Sequence, residues 1–155
     1  MLLIGNGRLI TRSANNPYLE NGAVVLDGDT VKETGTLEAM RAKYPAAELV
    51  DAKGGVIMPG LINVHTHIYS GLARGLAIDG FAPTNFLEVL DGQWWNIDRR
   101  LTLDGTRACA YATVLDCIRD GVTTIFDHHA SFGEIPGSLF AIKDVCAELG
   151  MRACL

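Results

Sequence analysis

The sequence has little positive charge and no long apolar run. Its 155 residues include 13 lysines and arginines against 18 acidic residues, for a net charge of −5. The basic residues are scattered, which argues against a nucleic-acid partner, because a phosphate backbone needs a basic face. No run approaches the roughly 18 apolar residues of a membrane span, and no basic leader precedes the short apolar amino terminus. We therefore expect a cytoplasmic protein that binds neither nucleic acid nor membrane.

Several site signatures are also missing. None of the four cysteines forms a C-x-x-C pair, which disfavours a zinc ribbon or a thioredoxin-type site and favours reduced thiols that act as small hydrophobes. The chain has no G-x-G-x-x-G before a helix and no Walker-type lysine loop, which argues against a nucleotide cofactor. The H-x-E and P-C-x-x-C signature of cytidine-type zinc deaminases is absent too, so a deaminase here would have another fold.

The amino-terminal residues, 1 to about 55, favour β-structure. Short apolar runs alternate with turn residues, and Asp27-Gly28 between two such runs predicts a hairpin. The segment TLEAMRAKYP predicts a short helix that ends before Pro45. No cluster of catalytic residue types occurs in this region.

After Pro59-Gly60 the pattern changes to alternating strands and helices. LINVHTH predicts a strand, and a glycine-rich segment follows it. Thr102 is expected to cap a long helix that ends at Gly121. Its buried stripe is expected to contain Ala108, Ala112, Leu115 and Ile118 (or Cys117 and Ile118 together). This order is the start of a parallel βαβ unit.

The alternation then repeats. VTTIFD predicts a second strand, Ser138 is expected to cap a second helix, and MRACL predicts a third strand. The buried face of the second helix is expected to contain Ile142, Val145 and Leu149. A closed barrel needs eight such units and about 250 residues, so we expect an amino-terminal piece of a larger protein. A small, complete, open α/β domain is the alternative.

His65 and His67 are the strongest candidates for chemistry. Residues i and i+2 of a strand point to the same side, so both imidazoles can reach one ion from the end of one strand. Imidazole suits Zn²⁺ and related metals, and the carboxyl ends of barrel strands carry active sites. The pattern therefore predicts a metal pair; the alternative is a pair of satisfied histidines at the end of a buried strand.

Weaker candidates follow both strands. His128 and His129 come after the second strand and can contact substrate, orient a ligand or bind metal directly. Trp95, beside Trp94, lies where a segment would cover the site, so the indoles can form an apolar wall for a flat heterocycle or pack the covering segment. Arg74 can meet an anionic group or cap a turn.

Three segments carry a family resemblance. MPGLINVHTH is similar to the opening of the metal-dependent amidohydrolase superfamily, in which the two histidines are metal ligands. GLARGLA and GVTTIFD resemble the branch that contains guanine deaminase, S-adenosylhomocysteine deaminase and the triazine hydrolases. The resemblance covers essentially all 155 residues.

The resemblance implies an α/β fold: the amino-terminal part of a (β/α)8 TIM-type barrel preceded by part of a small β-sandwich. Residues 1–57 would be the partial composite sandwich, and residues 58–155 the first βα units. It also implies one divalent metal, Zn or alternatively Fe, held by His65, His67 and later residues. Those later ligands, and the acid–base group, are expected beyond Leu155.

The implied activity is hydrolysis of non-peptide C–N bonds in a small heterocyclic or amidine-like substrate by metal-activated water. Trp95, His128, His129 and Arg74 are the candidate substrate contacts. A cyclic amidase of the dihydroorotase or hydantoinase type is one alternative, and an inactive truncated chain is another. A homo-oligomeric arrangement of the intact protein stays open.

Overall fold

The computed structural model describes residues 1–155, which divide into two compact units, Met1–Pro59 and Gly60–Leu155. Each unit has its own hydrophobic core and is described by itself. None of the helices is long and apolar enough to cross a membrane.

The first unit is a five-stranded sheet with one short helix. The sheet order is β3-β2-β1-β4, and β5 pairs with a further part of β1. The elements are β1 (Leu2–Ile10), β2 (Tyr18–Asp27), β3 (Thr30–Thr36), α1 (Leu37–Lys43), β4 (Glu48–Asp51) and β5 (Val56–Ile57). The predicted hairpin is confirmed: Asp27 pairs with Thr30, and Gly28 has the positive φ of 63° that a tight turn requires.

The core of the first unit follows from strand alternation. Leu3 and Leu9 are buried on β1 while the residues beside them are more exposed. Leu3, Val25 and Met40 form one apolar cluster, and Leu9 and Ile57 belong to a second. The predicted short helix is confirmed as α1, because the side chain of Thr36 accepts a hydrogen bond from the Ala39 amide and caps it.

The second unit has a three-stranded parallel sheet in the order β6-β7-β8. Its strands are β6 (Leu61–Thr66), β7 (Val122–Asp127) and β8 (Arg152–Cys154). Helix α4 (Leu103–Arg119) connects the first two strands, and α5 (Ser138–Glu148) connects the last two. The strand–helix–strand–helix–strand order predicted from the sequence is therefore confirmed.

One apolar cluster holds the second unit together. Ile125 on the central strand, Val114 on α4, and Ile142 and Val145 on α5 are all fully buried in it. At about 25 cal/mol per Å² of buried apolar surface, each such side chain contributes roughly 1.5–3 kcal/mol. The cluster fixes the position of the strand whose end carries Asp127, His128 and His129.

Two helix details differ from the sequence prediction. The stripe predicted on α4 is wrong, because Leu115 and Ile118 are exposed while Val114 and Ala110 are buried. Apolar residues occur on every side of this helix, so spacing alone did not identify the buried side. The residue that caps α5 is Gly137, with φ of 93°, and Ser138 is the first helical residue.

The connection between β6 and α4 is helical over much of its length. It contains a 3₁₀ helix (Ile68–Ala73), α2 (Phe86–Val89), a π-helical turn (Leu90–Trp94) and α3 (Trp95–Arg100). Residues 86–100 are called the connecting segment below. The Asn96 side chain donates hydrogen bonds to the carbonyls of Asp91 and Gly92 across the wide turn, which fixes the local conformation.

Gly71 allows the 3₁₀ helix to approach α4 closely. A Cβ atom at this position would lie 2.2 Å from the Thr113 hydroxyl oxygen and 2.9 Å from the Cys109 carbonyl oxygen. We expect Gly71→Ala to lower the free energy of unfolding by about 1–3 kcal/mol, the usual cost of overpacking, as measured by denaturant titration. Adding Thr113→Ala should restore part of the loss, and equal stability of Gly71→Ala and wild type would contradict this packing.

Candidate metal centre

The two histidines of the H-x-H motif converge at the end of β6. His65 lies in the last part of the strand, and His67 is the first residue after it. Their Nε2 atoms are 3.1 Å apart, and the ring centroids are 4.9 Å apart in an edge-to-face arrangement. Both imidazoles therefore present the same nitrogen to the same point, as the i, i+2 spacing predicts.

A main-chain carbonyl orients the second imidazole. The Nδ1 atom of His67 lies 3.0 Å from the His128 carbonyl oxygen. Because a carbonyl only accepts hydrogen bonds, Nδ1 carries the proton of the neutral ring, and the unprotonated Nε2 faces Nε2 of His65. The His128 carbonyl is itself held in place, since the His128 amide donates to the Thr66 carbonyl at 2.9 Å.

The geometry of this pair fits one divalent ion. Two nitrogens that bind the same zinc ion at 2.0–2.1 Å can be at most about 4.2 Å apart, and the observed 3.1 Å is within that limit. No group of three or more His, Cys, Asp or Glu side chains in the chain is arranged to hold a metal. The chain thus presents two adjacent imidazoles and no complete protein coordination shell.

Behind the pair lies a buried polar cluster formed by Tyr69, Asp98, Asp127 and His129. One Asp127 carboxylate oxygen accepts a hydrogen bond from the Ile68 amide at 2.7 Å. The His129 ring packs edge-to-face against Tyr69 at 5.4 Å. Neither ring nitrogen of His129 has a hydrogen-bond partner in the chain, and the same holds for one carboxylate oxygen each of Asp98 and Asp127.

Burial controls the protonation of this cluster. It raises the pKa of both carboxyl groups, Asp98 and Asp127, and lowers the pKa of His129. It is also the main reason that the pKa of the Tyr69 hydroxyl rises to about 12, with the charge of Asp98 the next cause. Tyr69 is therefore a neutral hydrogen-bond donor at every physiological pH.

The connecting segment places Trp94 next to the histidine pair. The ring centroids of Trp94 and His67 are 6.5 Å apart, with the planes tilted by 38°. Both residues line a cavity of about 570 Å³, together with Thr66 and Gln93. The sequence predicted a wall or a packing role for both indoles, Trp94 and Trp95, but it did not indicate which ring lies beside His67, because the π-helical turn that directs the Trp94 ring has no recognisable sequence signal.

The other predicted contacts lie in different environments. Trp95 lies under the Arg99 guanidinium, 5.8 Å from ring centroid to carbon, and next to Phe132. Arg74 lines the same cavity as His67 but forms an ion pair with Asp116 at 2.8 Å.

The two histidines after β7 differ in exposure. The exposed His128 ring packs against His67 at 5.1 Å, whereas the nitrogens of His129 are buried. Substrate contact by these residues stays a prediction.

Comparison with known families decides the relationship. Residues 56–155, which include the whole second unit and the histidine pair, match the amidohydrolase family. The chain belongs to the amidohydrolase family. Within the first unit of this amidohydrolase, residues 22–47 match the imidazolonepropionase-like composite domain of bacteria.

Curated relatives of this amidohydrolase are named as deaminases. The chain is 26% identical over 150 residues to 5-methylthioadenosine/S-adenosylhomocysteine deaminase of Bacillus cereus strain AH820, covering 97% of this chain and 33% of the relative. It is 28% identical to the protein of the same name from Syntrophomonas wolfei, covering 99% and 33% respectively. The chain therefore spans about a third of the length of the curated relatives it matches.

Solved structures have the same fold over this length. A mutant of atrazine chlorohydrolase TrzN from Arthrobacter aurescens TC1, complexed with zinc and atraton, superimposes with a TM-score of 0.81 at 28% identity, covering 99% of this chain and 34% of that one. Guanine deaminase of E. coli superimposes with a TM-score of 0.76 at 21% identity, covering 99% and 36%. The mixed α/β fold is shared with both, and zinc binding is a property of the first.

Proposed function

We propose that this chain provides the first two metal ligands of a hydrolase that cleaves a non-peptide C–N bond in a small heterocyclic substrate. His65 and His67 are the ligands, and zinc is the metal we favour over iron. The observation that carries the proposal is the 3.1 Å approach of the two Nε2 atoms. The His128 carbonyl on Nδ1 of His67 supports it, because it leaves the metal-binding nitrogen unprotonated.

The chemistry that such an ion supplies is activation of water for attack at the carbon of the C–N bond. The residues of this chain position that chemistry. His128 holds the His67 ring through its main chain, and the ladder between β6 and β7 holds His128. Trp94 forms an apolar wall on one side of His67.

The substrate class follows from the wall and from the relatives. An indole face next to the ligand pair suits a flat, electron-poor ring, which stacks in an offset arrangement. The relatives are named for purine nucleoside derivatives, and a related structure contains the triazine atraton. We therefore propose an amino-substituted heterocycle. The candidate contacts are Arg74, which lines the same cavity as His67, the exposed His128 ring beside His67, and, less directly, Trp95 and His129.

We also propose how the chain fits the whole protein. The three parallel strands and their helices are the first units of a (β/α)8 barrel, and residues 1–57 are part of a composite β-sandwich domain. The remaining ligands and the acid–base group would then come from later barrel strands, in the part that corresponds to the other two thirds of the relatives. The active sites of such barrels are built from the carboxyl ends of several strands.

The experiment is ammonia release by the full-length protein from a panel of aminopurines, aminotriazines and their nucleosides. Zinc-loaded protein should release ammonia from at least one of them. Chelation should lower the rate by on the order of 10³-fold, since metal activation contributes several kcal/mol, and added zinc should restore it. Stoichiometric zinc without ammonia release from any of these compounds would overturn the proposed reaction.

A further inference from the structure

We propose that Asp98 is a positioning residue that anchors the connecting segment and thereby holds the Trp94 ring beside the histidine pair. The inference rests on the proposed function for its kinetic consequence but not for its structural one. The first observation is that Asp98 places a carboxylate in the protein interior. The Asp98 side chain is 4% exposed, and one of its carboxylate oxygens has no hydrogen-bond partner in the chain.

Packing alone does not explain an acid at this position. Burying a carboxylate costs several kcal/mol, and a well-packed apolar residue of similar volume is often at least as stable. The carboxyl of Asp98 lies beside the Tyr69 hydroxyl, with the His129 ring as a further neighbour. The Asp98 carboxyl thus links the connecting segment to Tyr69, two residues after His67, and to His129, two residues after the end of β7.

The main chain of Asp98 makes a second attachment. Its carbonyl oxygen accepts hydrogen bonds from the amides of Phe132 at 2.8 Å and Gly133 at 3.1 Å. Gly133 lies so close that a Cβ atom there would be 2.5 Å from the Leu101 carbonyl oxygen and 2.9 Å from that of Arg99. The loop after β7 is therefore hydrogen-bonded to α3 at Asp98. The carboxyl group of the same residue points into the polar cluster.

Helical spacing transmits this attachment to Trp94. Asp98 is four residues after Trp94, and Trp94 is the N-cap residue that directly precedes α3, with helical backbone angles of its own. Residues i and i+4 of a helix lie on the same face, one turn apart. Fixing Asp98 from both sides therefore fixes the tilt of the turn that carries the indole next to His67. If the anchor is released, the ring can move away without any change in the histidines.

The test compares Asp98→Ala with the conservative Asp98→Asn in the full-length protein. Asp98→Ala should increase the exposure of Trp94 to a fluorescence quencher and speed amide exchange at Phe132 and Gly133 about tenfold, the equivalent of one charge-assisted hydrogen bond. Asp98→Asn keeps an acceptor for Tyr69 and should restore most of the wild-type behaviour. Asp91→Ala, at an exposed position of the same segment, is the control and should match wild type.

A second variant tests the anchor from its other side. Gly133→Ala pushes the loop away from α3 and should give the same changes as Asp98→Ala, including where Asp98→Ala fails to fold. Both variants should raise KM about tenfold and leave kcat within about twofold, because the wall binds substrate without taking part in the reaction. Wild-type quenching and exchange in Gly133→Ala or in folded Asp98→Ala would overturn the anchor. Absence of ammonia release from wild type would overturn only the proposed function.

Discussion

His67→Ala in the full-length protein is expected to lose its metal and, with it, hydrolysis. The substitution removes one of two imidazole nitrogens that lie 3.1 Å apart. Loss of a partner that only orients a ligand already weakens metal binding by 10–100-fold, so loss of the ligand itself should exceed about 100-fold. The measurements are metal content after gel filtration and zinc affinity by competition with a chromogenic chelator.

The neighbouring histidines provide matched comparisons. His65→Ala should have an effect of the same size. His128→Ala removes a ring 5.1 Å from His67 but leaves the carbonyl that orients it, so metal content should stay close to that of wild type. Full metal content in His67→Ala would remove it from the ligand set, and metal loss in His128→Ala would assign a ligand role to the His128 ring.

Ile125→Ala is expected to be among the most destabilising single truncations in the second unit. Ile125 is fully buried on the central strand, paired with Asn63 on β6 and Ala153 on β8. Truncation leaves a cavity among Val114, Ile142 and Val145 and should cost about 2–5 kcal/mol. This is a large part of the roughly 5–15 kcal/mol that a domain typically has, and urea denaturation followed by circular dichroism measures it.

Truncation of the adjacent residue, Phe126, tests whether a barrel closes over the other face of β7. Phe126 points to the opposite face of β7 and is 45% exposed, so Phe126→Ala in the 155-residue chain should cost roughly 1 kcal/mol or less. In a closed barrel that face becomes the interior, and the cost should rise to about 3–5 kcal/mol. An equally small cost in the full-length protein would contradict barrel closure over this face.

Local sequence patterns were sufficient for much of the fold. The hairpin turn at Gly28 depends on a positive φ. The cap of α4 depends on the Thr102 hydroxyl, which accepts a hydrogen bond from the Gly105 amide, and the three parallel strands depend on runs of β-branched residues. The buried face of α4 was the exception. It has apolar residues on all sides, so only the neighbours that pack against it decide which of them are buried, and Val114 is buried whereas Leu115 is not.

In the site, too, local backbone geometry was predictable from the sequence, whereas contacts between distant residues were not. The sequence determined that His65 and His67 share one side of a strand end, because a period of two residues is a property of the extended backbone. Only the tertiary structure decided that the His128 carbonyl orients His67, that Trp94 lies beside His67, and that the buried Asp98 lies beside Tyr69. These contacts join residues far apart along the chain, and their partners are chosen by packing between elements rather than by local backbone geometry.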